Sequence, residues 1–314
     1  MPLEQDLIHW LREQTGAAPD LELGIGDDAA VLQAADRGTV VTTDLLSDRV
    51  DFILGEADPA AIGRKALAVN LSDLAAMAAK PVACFVSLLL PDAADQPLPP
   101  LELAQALYAG LLPLADRYGA TLAGGDTNTW GGGLVISVTA LGQVTKHGPL
   151  TRSGAQPGDA LLVTGSFGGS ILGSHFAFEP RVEAALLLRE NYQLHAGMDV
   201  SDGLTLDLDR LCKASRCGVE LDIDSVPVAD AAVRLAEQTG RSPLDHALGD
   251  GEDFELLLAV PAAEADRLLA DQPLDGIPLT RIGTFTETLG VWSTAADGQP
   301  AAIAPAGYQH GEQE

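Results

Sequence analysis

The stretch "LELGIGDDAAV", residues 21–31, limits the possible folds more than any other part of the chain. Gly24, Gly26 and Ala29 satisfy G-x-G-x-x-G/A, the turn with which a dinucleotide fold lays bare backbone against a pyrophosphate. Asp44 closes the strand-like run "GTVVTTD" near the distance at which such folds carry a ribose-binding acid. The spacing in between denies that fold. Only Ala29 to Asp36 is left for a crossover helix, and a parallel crossover takes at least about ten to twelve residues. Asp27 and Asp28 would also turn their own negative charge toward the pyrophosphate. No G-x-x-x-x-G-K-[ST] occurs, and neither H-R-D nor D-F-G is present, so P-loop enzymes and protein kinases are excluded as well.

The remaining pattern alternates helices and strands. Residues 4–14 read as a short amphipathic helix and 38–46 as a strand. Asp58 followed by Pro59 predicts a helix start, with the acid as N-cap, and the helix runs through "AAIGRKALAVNLSDLAAMAA". A strand is expected at 82–90, a helix at 100–118, a strand at 120–124, a glycine-rich loop, and a strand at 134–144. "HGPLTRSGAQPGD" has the Gly, Pro and Ser content of a domain boundary. Beyond it come a strand "ALLVTG", helices from about 168 and at 181–195, the turn "MDVSDGL" and a helix to Ser215. Strands at 219–223, 254–260 and 279–285 follow, with helices between.

With 314 residues the chain can bury cores for two domains. Its longest apolar run, "VACFVSLLL", is far below the ~20 residues of a membrane span, and the N-terminus lacks a signal-peptide pattern, so a cytoplasmic protein is expected. The formal charge of −27 opposes nucleic-acid and anionic-membrane binding. It also suits a high-salt habitat, in which case the melting temperature rises with KCl; a flat or falling profile refutes that idea. Cys84, Cys212 and Cys217 form no C-x-x-C pair and read as core residues. The histidines, His175 among them, show no metal-ligand spacing and read as packing or surface residues. Trp130 is either a contact near a ligand or a loop anchor.

What stands out is a series of aspartates at element ends: Asp27, Asp28, Asp44, Asp73, Asp126, Asp199 and Asp202. Singly, each is accounted for as a cap or turn residue. Together, Asp44 and Asp73 lie in apolar surroundings where an unpaired carboxylate is costly, and Asp126 follows two glycines that permit close backbone approach. Oxygen ligands without nearby His or Cys suit a hard cation such as Mg²⁺, and carboxylates, glycines and such a metal together describe a polyphosphate site.

"GIGDDAA", "TTDLL", "RKALAVNLSDLAAMAAKP", "GGDT", "LTRSGAQPGD", "DVSDGLTLDL" and "GDGEDFELLL" occur in the order found in the thiamine-monophosphate kinase family, which the chain resembles from about residue 20 to 290. That family belongs to the superfamily of aminoimidazole ribonucleotide synthetase and selenophosphate synthetase. The resemblance implies a two-domain α+β fold. Residues 1–146 would form an ATP- and Mg²⁺-binding domain that pairs through its sheet in a homodimer. Residues 147–314 would form an α/β sandwich completing the nucleotide and substrate site. It further implies transfer of the γ-phosphoryl of ATP to thiamine monophosphate across a cleft bridged by several Mg²⁺ ions, with no catalytic general base.

Carried onto this chain, the resemblance makes Asp28, Thr42, Thr43, Asp44, Asp73, Asp126, Asp199 and Asp202 metal ligands. Gly125, Asp126, Arg152 and Ser201 become ATP contacts, Lys65 lies near the phosphates, and Glu252 contacts the thiamine moiety. Two positions depart from the family. Asp51 in "DRVDF" replaces a substrate-contacting histidine, and Pro305 in "APAGYQH" stands where a tryptophan often faces the substrate, which removes a stacking surface for a flat cation.

Overall fold

The computed structural model describes residues 3–15, 21–23, 31–33, 36–92, 98–294 and 300–308. Asp27 and Asp28 lie outside the described residues. The chain divides into two compact units: Met1–Leu74 with Ala79–Gly148, and Ala75–Ala78 with Pro149–Glu314.

The first unit contains α1 (Leu3–Gln14), the short antiparallel pair β1 (Leu21–Leu23) and β2 (Val31–Leu32), then β3 (Thr39–Ser47), α2 (Pro59–Ala76), β4 (Ala79–Pro91), α3 (Pro100–Tyr118), β5 (Thr121–Trp130) and β6 (Val135–Val144). Asp58 caps α2 as its sequence requires, accepting the Ala60 amide at 3.1 Å, with Pro59 as the first helical residue. The four-stranded sheet has the order β3-β6-β4-β5, antiparallel except for the parallel pair β4 and β5. Helix α3 lies over β4 and β5. Helices α2 and α3 touch backbone to backbone. A Cβ on Gly63 would fall 1.9 Å from the Leu107 carbonyl oxygen, and one on Gly110 would fall 1.7 Å from that of Ala60.

Strand alternation decides which β3 side chains reach the helices. Val40 and Leu46 are buried and Thr42 and Asp44 half-buried on one face; Val41 and Leu45 are 61% and 59% exposed on the other, with Thr43 between them. The expected glycine-rich loop after residue 124 is instead strand. Gly124, Gly125 and Asp126 pair with Phe85, Val86 and Ser87, and the ladder continues to Trp130 opposite Pro91. Trp130 is a loop anchor, donating Nε1–H to the Gly133 carbonyl at 2.8 Å.

The second unit contains β7 (Ala160–Thr164), α4 (Ser174–Ala177), α5 (Val182–Asn191), β8 (Ala196–Asp199), α6 (Leu204–Ser215), β9 (Gly218–Leu221), α7 (Asp230–Thr239), α8 (Pro243–Gly249), β10 (Leu256–Val260), α9 (Ala262–Asp271), β11 (Leu279–Thr286), β12 (Gly290–Thr294) and β13 (Pro300–Ala302). Its sheet runs β13-β12-β9-β11-β7-β10-β8, with only β12 and β9 parallel. Leu204, Leu208, Leu211 and Cys212 of α6 follow helical spacing and share a core with Val163, Met198, Leu257 and Ile282. Each fully buried leucine there stabilises the fold by about 1.5–3 kcal/mol. The helix expected from residue 168 does not form as one piece. Gly168, Gly169 and Gly173 take φ of 92°, 76° and 120°, and break it into a short 3₁₀ turn and the single-turn α4.

Candidate functional site

In the first unit the sequence-derived residues separate into those that converge and those that do not. Thr42 and Asp44 project from the same face of β3, and the Thr42 hydroxyl donates to Oδ2 of Asp73 on α2. Burial, followed by the charges of Asp73 and Asp51, pushes the Asp44 carboxyl up to about 7. Its Oδ2 is buried and has no hydrogen-bond partner among the described residues. A buried oxygen without a donor, surrounded by like charge, is the electrostatic signature of a place for a cation.

Asp51 does not stand as a bare anion. Its Oδ2 accepts the Ser47 amide at 2.7 Å, closing the turn after β3, and its carbonyl accepts from Nζ of Lys65 at 3.1 Å. Lys65 is 0% exposed on α2.

Thr43 and Asp126 lie elsewhere. The Thr43 hydroxyl donates to the Val138 carbonyl at 3.3 Å and accepts from Thr139 at 3.0 Å, on the face opposite Asp44. Period-two alternation puts neighbours in a regular strand on opposite faces, so the Thr43 hydroxyl points away from the Asp44 carboxylate while Thr42 shares its face. Asp126 sits on β5, the far edge from β3, three strand spacings or about 14 Å across the sheet. Ser87, its partner on β4, shares the face of Thr43, and Oδ1 of Asp126 accepts the Thr127 amide at 2.9 Å. Within one chain Asp44 and Asp126 therefore do not share an ion. Among the described residues no three His, Cys, Asp or Glu side chains form a metal cage by themselves. The set at Asp44 and Asp73 fits Mg²⁺, which takes one or two carboxylates and completes its shell with water and substrate phosphates.

In the second unit the motifs "DVSDG" and "GDGEDFE" lie side by side. Asp199 ends β8 opposite Leu256 and is buried. The Phe254 amide donates to the Val200 carbonyl at 2.8 Å and the Glu252 amide to the Ser201 carbonyl at 2.7 Å, while the Val200 amide donates to the Glu255 carbonyl at 2.8 Å. Gly251 is glycine of necessity, because a Cβ there would lie 2.8 Å from the Asp202 carbonyl carbon. Glu252 and Phe254 both occupy the left-handed region, at φ 55° and 52°, a conformation that non-glycine residues keep only when their surroundings hold it.

Asp207 shapes the turn that carries Ser201 and Asp202. From inside α6 its Oδ2 accepts three successive amides, Ser201 at 3.0 Å, Asp202 at 2.9 Å and Gly203 at 3.2 Å. Burial raises its carboxyl above the ordinary range despite these donors. Arg210 joins Asp207 Oδ1 at 2.7 Å and also pairs with Asp202. Arg152 is exposed on the segment before β7, where the Thr151 carbonyl accepts the Gly197 amide of β8 at 3.0 Å. Pro305 is exposed in a C-terminal strap tied to the same turn: the Tyr308 amide donates to the Asp202 carbonyl at 2.8 Å and the Ala306 amide to Thr205 Oγ1 at 2.9 Å. Asp202, Ser201, Glu252 and the strap around Pro305 thus form one neighbourhood.

Sequence reasoning missed His175. Its Nδ1 lies 3.3 Å from Oε2 of Glu252, and its side chain is 7% exposed against 34% for Glu252. No sequence spacing signals this pair, since α4 and the Glu252 turn belong to distant parts of the chain. Asp253 was missed as well: Oδ1 accepts the Gly168 amide at 2.8 Å, while Oδ2 is buried without a hydrogen-bond partner among the described residues.

Comparison with known proteins places the chain. The family described as AIR synthase related protein matches through its N-terminal domain at residues 26–144 and its C-terminal domain at 156–292, and the chain belongs to that family. Thiamine-monophosphate kinase of Rhodopirellula baltica is 43% identical over 99% of this chain and 98% of its own length. The crystal structure of thiamine-monophosphate kinase from Stenotrophomonas maltophilia K279a superposes with a TM-score of 0.79, at 38% identity over 94% of this chain and 96% of that one. A structure described as AaThiL complexed with AMPPCP and TMP matches with a TM-score of 0.72, at 27% identity over 97% of this chain and 95% of that one. Within the AIR synthase-related family the chain therefore belongs with the thiamine-monophosphate kinases, and it is an enzyme of the kinase class. No described helix is long and apolar enough to cross a membrane.

Proposed function

We propose that the protein transfers the γ-phosphoryl group of ATP to thiamine monophosphate, giving thiamine diphosphate, with Mg²⁺ as the required ion. The observation that carries this reading is Asp44: a half-buried carboxylate with one buried oxygen lacking a donor and with Asp73 and Asp51 acting on it. An acidic pocket of this kind repels ATP until a cation fills it. Bound Mg²⁺ would neutralise phosphate charge and hold the reacting groups in line.

Asp44, Asp73 and Thr42 supply the first unit's oxygens for that ion, joined by Asp28. In the second unit Asp199 and Asp202 would hold Mg²⁺ in the same way, Asp202 being the acid that pairs with Arg210 here. Ser201, Arg152, Gly125 and Asp126 contact ATP. The acceptor phosphate is already largely ionised at neutral pH, so the chain needs no base to activate it. Glu252 complements the cationic ring of the acceptor. Asp51 is turned onto the Ser47 amide, which blunts the repulsion that an acid at this position would otherwise exert on the acceptor phosphate.

The molecule works as a cytoplasmic homodimer in this reading. The open sheet face, with Val41 and Leu45 exposed, supplies an apolar surface for pairing, and Asp126 lies on that face.

ADP release in Mg²⁺, measured with and without thiamine monophosphate, tests the proposal. Release that depends on thiamine monophosphate supports it. Pro305 in place of an aromatic surface favours, as a second reading, the same fold acting on another acceptor. ADP release that ignores thiamine monophosphate but responds to another small-molecule phosphate would establish that second reading instead.

A further inference from the structure

We propose that His175 is a positioning residue that aims the Glu252 carboxylate at the acceptor; this rests on Glu252 being the acceptor contact. The geometry is a clamp between two segments. Four successive residues each receive one group from residues 168–175. The Gly169 amide donates to Asp250 Oδ2 at 3.1 Å, the Ser170 hydroxyl to the Gly251 carbonyl at 2.7 Å and the Gly168 amide to Asp253 Oδ1 at 2.8 Å, while His175 Nδ1 meets Glu252 Oε2 at 3.3 Å. Three of these contacts fix the segments to each other. The fourth is the only one made to the side chain that would touch the acceptor.

The main chain of Glu252 is fixed on the neighbouring turn. Its amide is bonded to the Ser201 carbonyl, and its φ of 55° sets the direction in which the side chain leaves. On such a backbone the direction of the carboxylate is set by rotation about the side-chain bonds, of which glutamate has three. His175 is placed to stop that rotation. Its ring is buried, it lies against Phe176 with centroids 4.0 Å apart, and α4 is anchored where Ser174 Oγ donates to the Ser170 carbonyl at 3.3 Å. A carboxylate packed against the His175 ring is oriented before the cation arrives, so binding does not have to order it. This also offsets the missing aromatic surface at Pro305: electrostatic recognition by a fixed carboxylate replaces part of what stacking would provide.

The test uses the full-length protein with ATP, Mg²⁺ and thiamine monophosphate. His175→Ala is expected to raise the KM for thiamine monophosphate about tenfold while kcat and the KM for ATP stay within about twofold, since uniform binding is lost and transition-state chemistry is not. His175→Asn, which keeps a polar nitrogen at the δ position, is expected to recover most of the acceptor KM. Glu252→Gln should raise the acceptor KM by itself, and adding His175→Ala to it should change nothing further. Three outcomes overturn the inference while leaving Glu252 as the acceptor contact: an unchanged acceptor KM in His175→Ala, an equal loss in kcat and both KM values, or no rescue by Asn. If Glu252→Gln leaves the acceptor KM unaltered, or the wild type shows no acceptor-dependent turnover, the underlying reading falls and the inference with it. Should His175→Ala fail to fold, the comparison of His175→Asn and His175→Gln with wild type decides by the same KM criterion.

Discussion

Gly125 stands against Val86 with no room for a side chain: a methyl group at residue 125 would lie 1.9 Å from the Val86 carbonyl oxygen. The parallel pairing of β4 and β5 demands this glycine before any nucleotide is considered. Gly125→Ala is expected to destabilise the first unit by roughly 2–4 kcal/mol and to lower Tm by roughly 5–15 °C. Differential scanning fluorimetry without ligand checks this. A variant that melts like wild type yet loses ATP affinity would show that the glycine serves the nucleotide instead.

If Asp44 holds Mg²⁺ as proposed, it links metal, proton and stability. Its folded pKa of about 7 stands above the ordinary 3.8, so between those values the native state keeps a proton that the unfolded chain has released. Its contribution to stability is therefore present below about pH 4 and is lost as pH rises through about 7. Asp44→Asn cannot ionise. It is expected to make the metal-free protein more stable at pH 8, by about 1–3 kcal/mol after allowance for partial solvent screening, while abolishing turnover. With Mg²⁺ bound at Asp44 as proposed, the ion would compete with the proton, so the rise in Tm on adding Mg²⁺ should be larger at pH 8 than at pH 6 and absent in Asp44→Asn. Melting curves at the two pH values decide it.

Asp207 accepts three amides at once, and removing it leaves all three without their acceptor. Asp207→Ala is expected to cost roughly 2–4 kcal/mol and to raise the KM for ATP as the Ser201–Gly203 turn loosens. Asp207→Asn keeps an acceptor oxygen and should lose less of both. Urea unfolding and initial rates give the two numbers, and equal losses in the two variants would contradict the capping role.

Burial first, and then the charges of Glu255, Asp250 and Glu252, raise the Asp253 carboxyl well above the ordinary range, against the Gly168 amide that lowers it. The sign follows as for Asp44: stability from this group is full below the ordinary carboxylate pKa and declines as pH rises toward its raised folded value. Asp253→Asn preserves an acceptor for Gly168 and removes the charge. Its urea midpoint should fall less than that of wild type between pH 5 and pH 8, and parallel profiles would refute the assignment.

How much of this was legible in the sequence depends on whether a feature is local. The start of α2 is written in Asp58 and Pro59, and the acids of the site stand in motifs whose order alone identifies the family. The continuation of β5 is not local. Gly124, Gly125, Asp126 and Asn128 all disfavour a strand by propensity, and only their pairing with β4 makes them one. Thr42 and Thr43 enter together as what the resemblance implies, and only the strand shows that their side chains leave on opposite faces. His175 carries no signal whatever in its own neighbourhood, because its role is created by a turn formed much later in the chain. The missed strands β12 and β13 are short and depend on β9 for their place.

The clamp on the acidic turn joins residues 85 positions apart at Gly168 and Asp253, and the strap at Thr205 and Ala306 spans 101. During synthesis the glycine segment therefore leaves the ribosome long before the acids that hold it exist. β7 and β8 are in the same position, since β10 lies between them in the sheet and is translated last of the three. Their facing edges stay open until residues 256–260 emerge, so the nascent second half exposes unpaired strand to its surroundings for the whole interval.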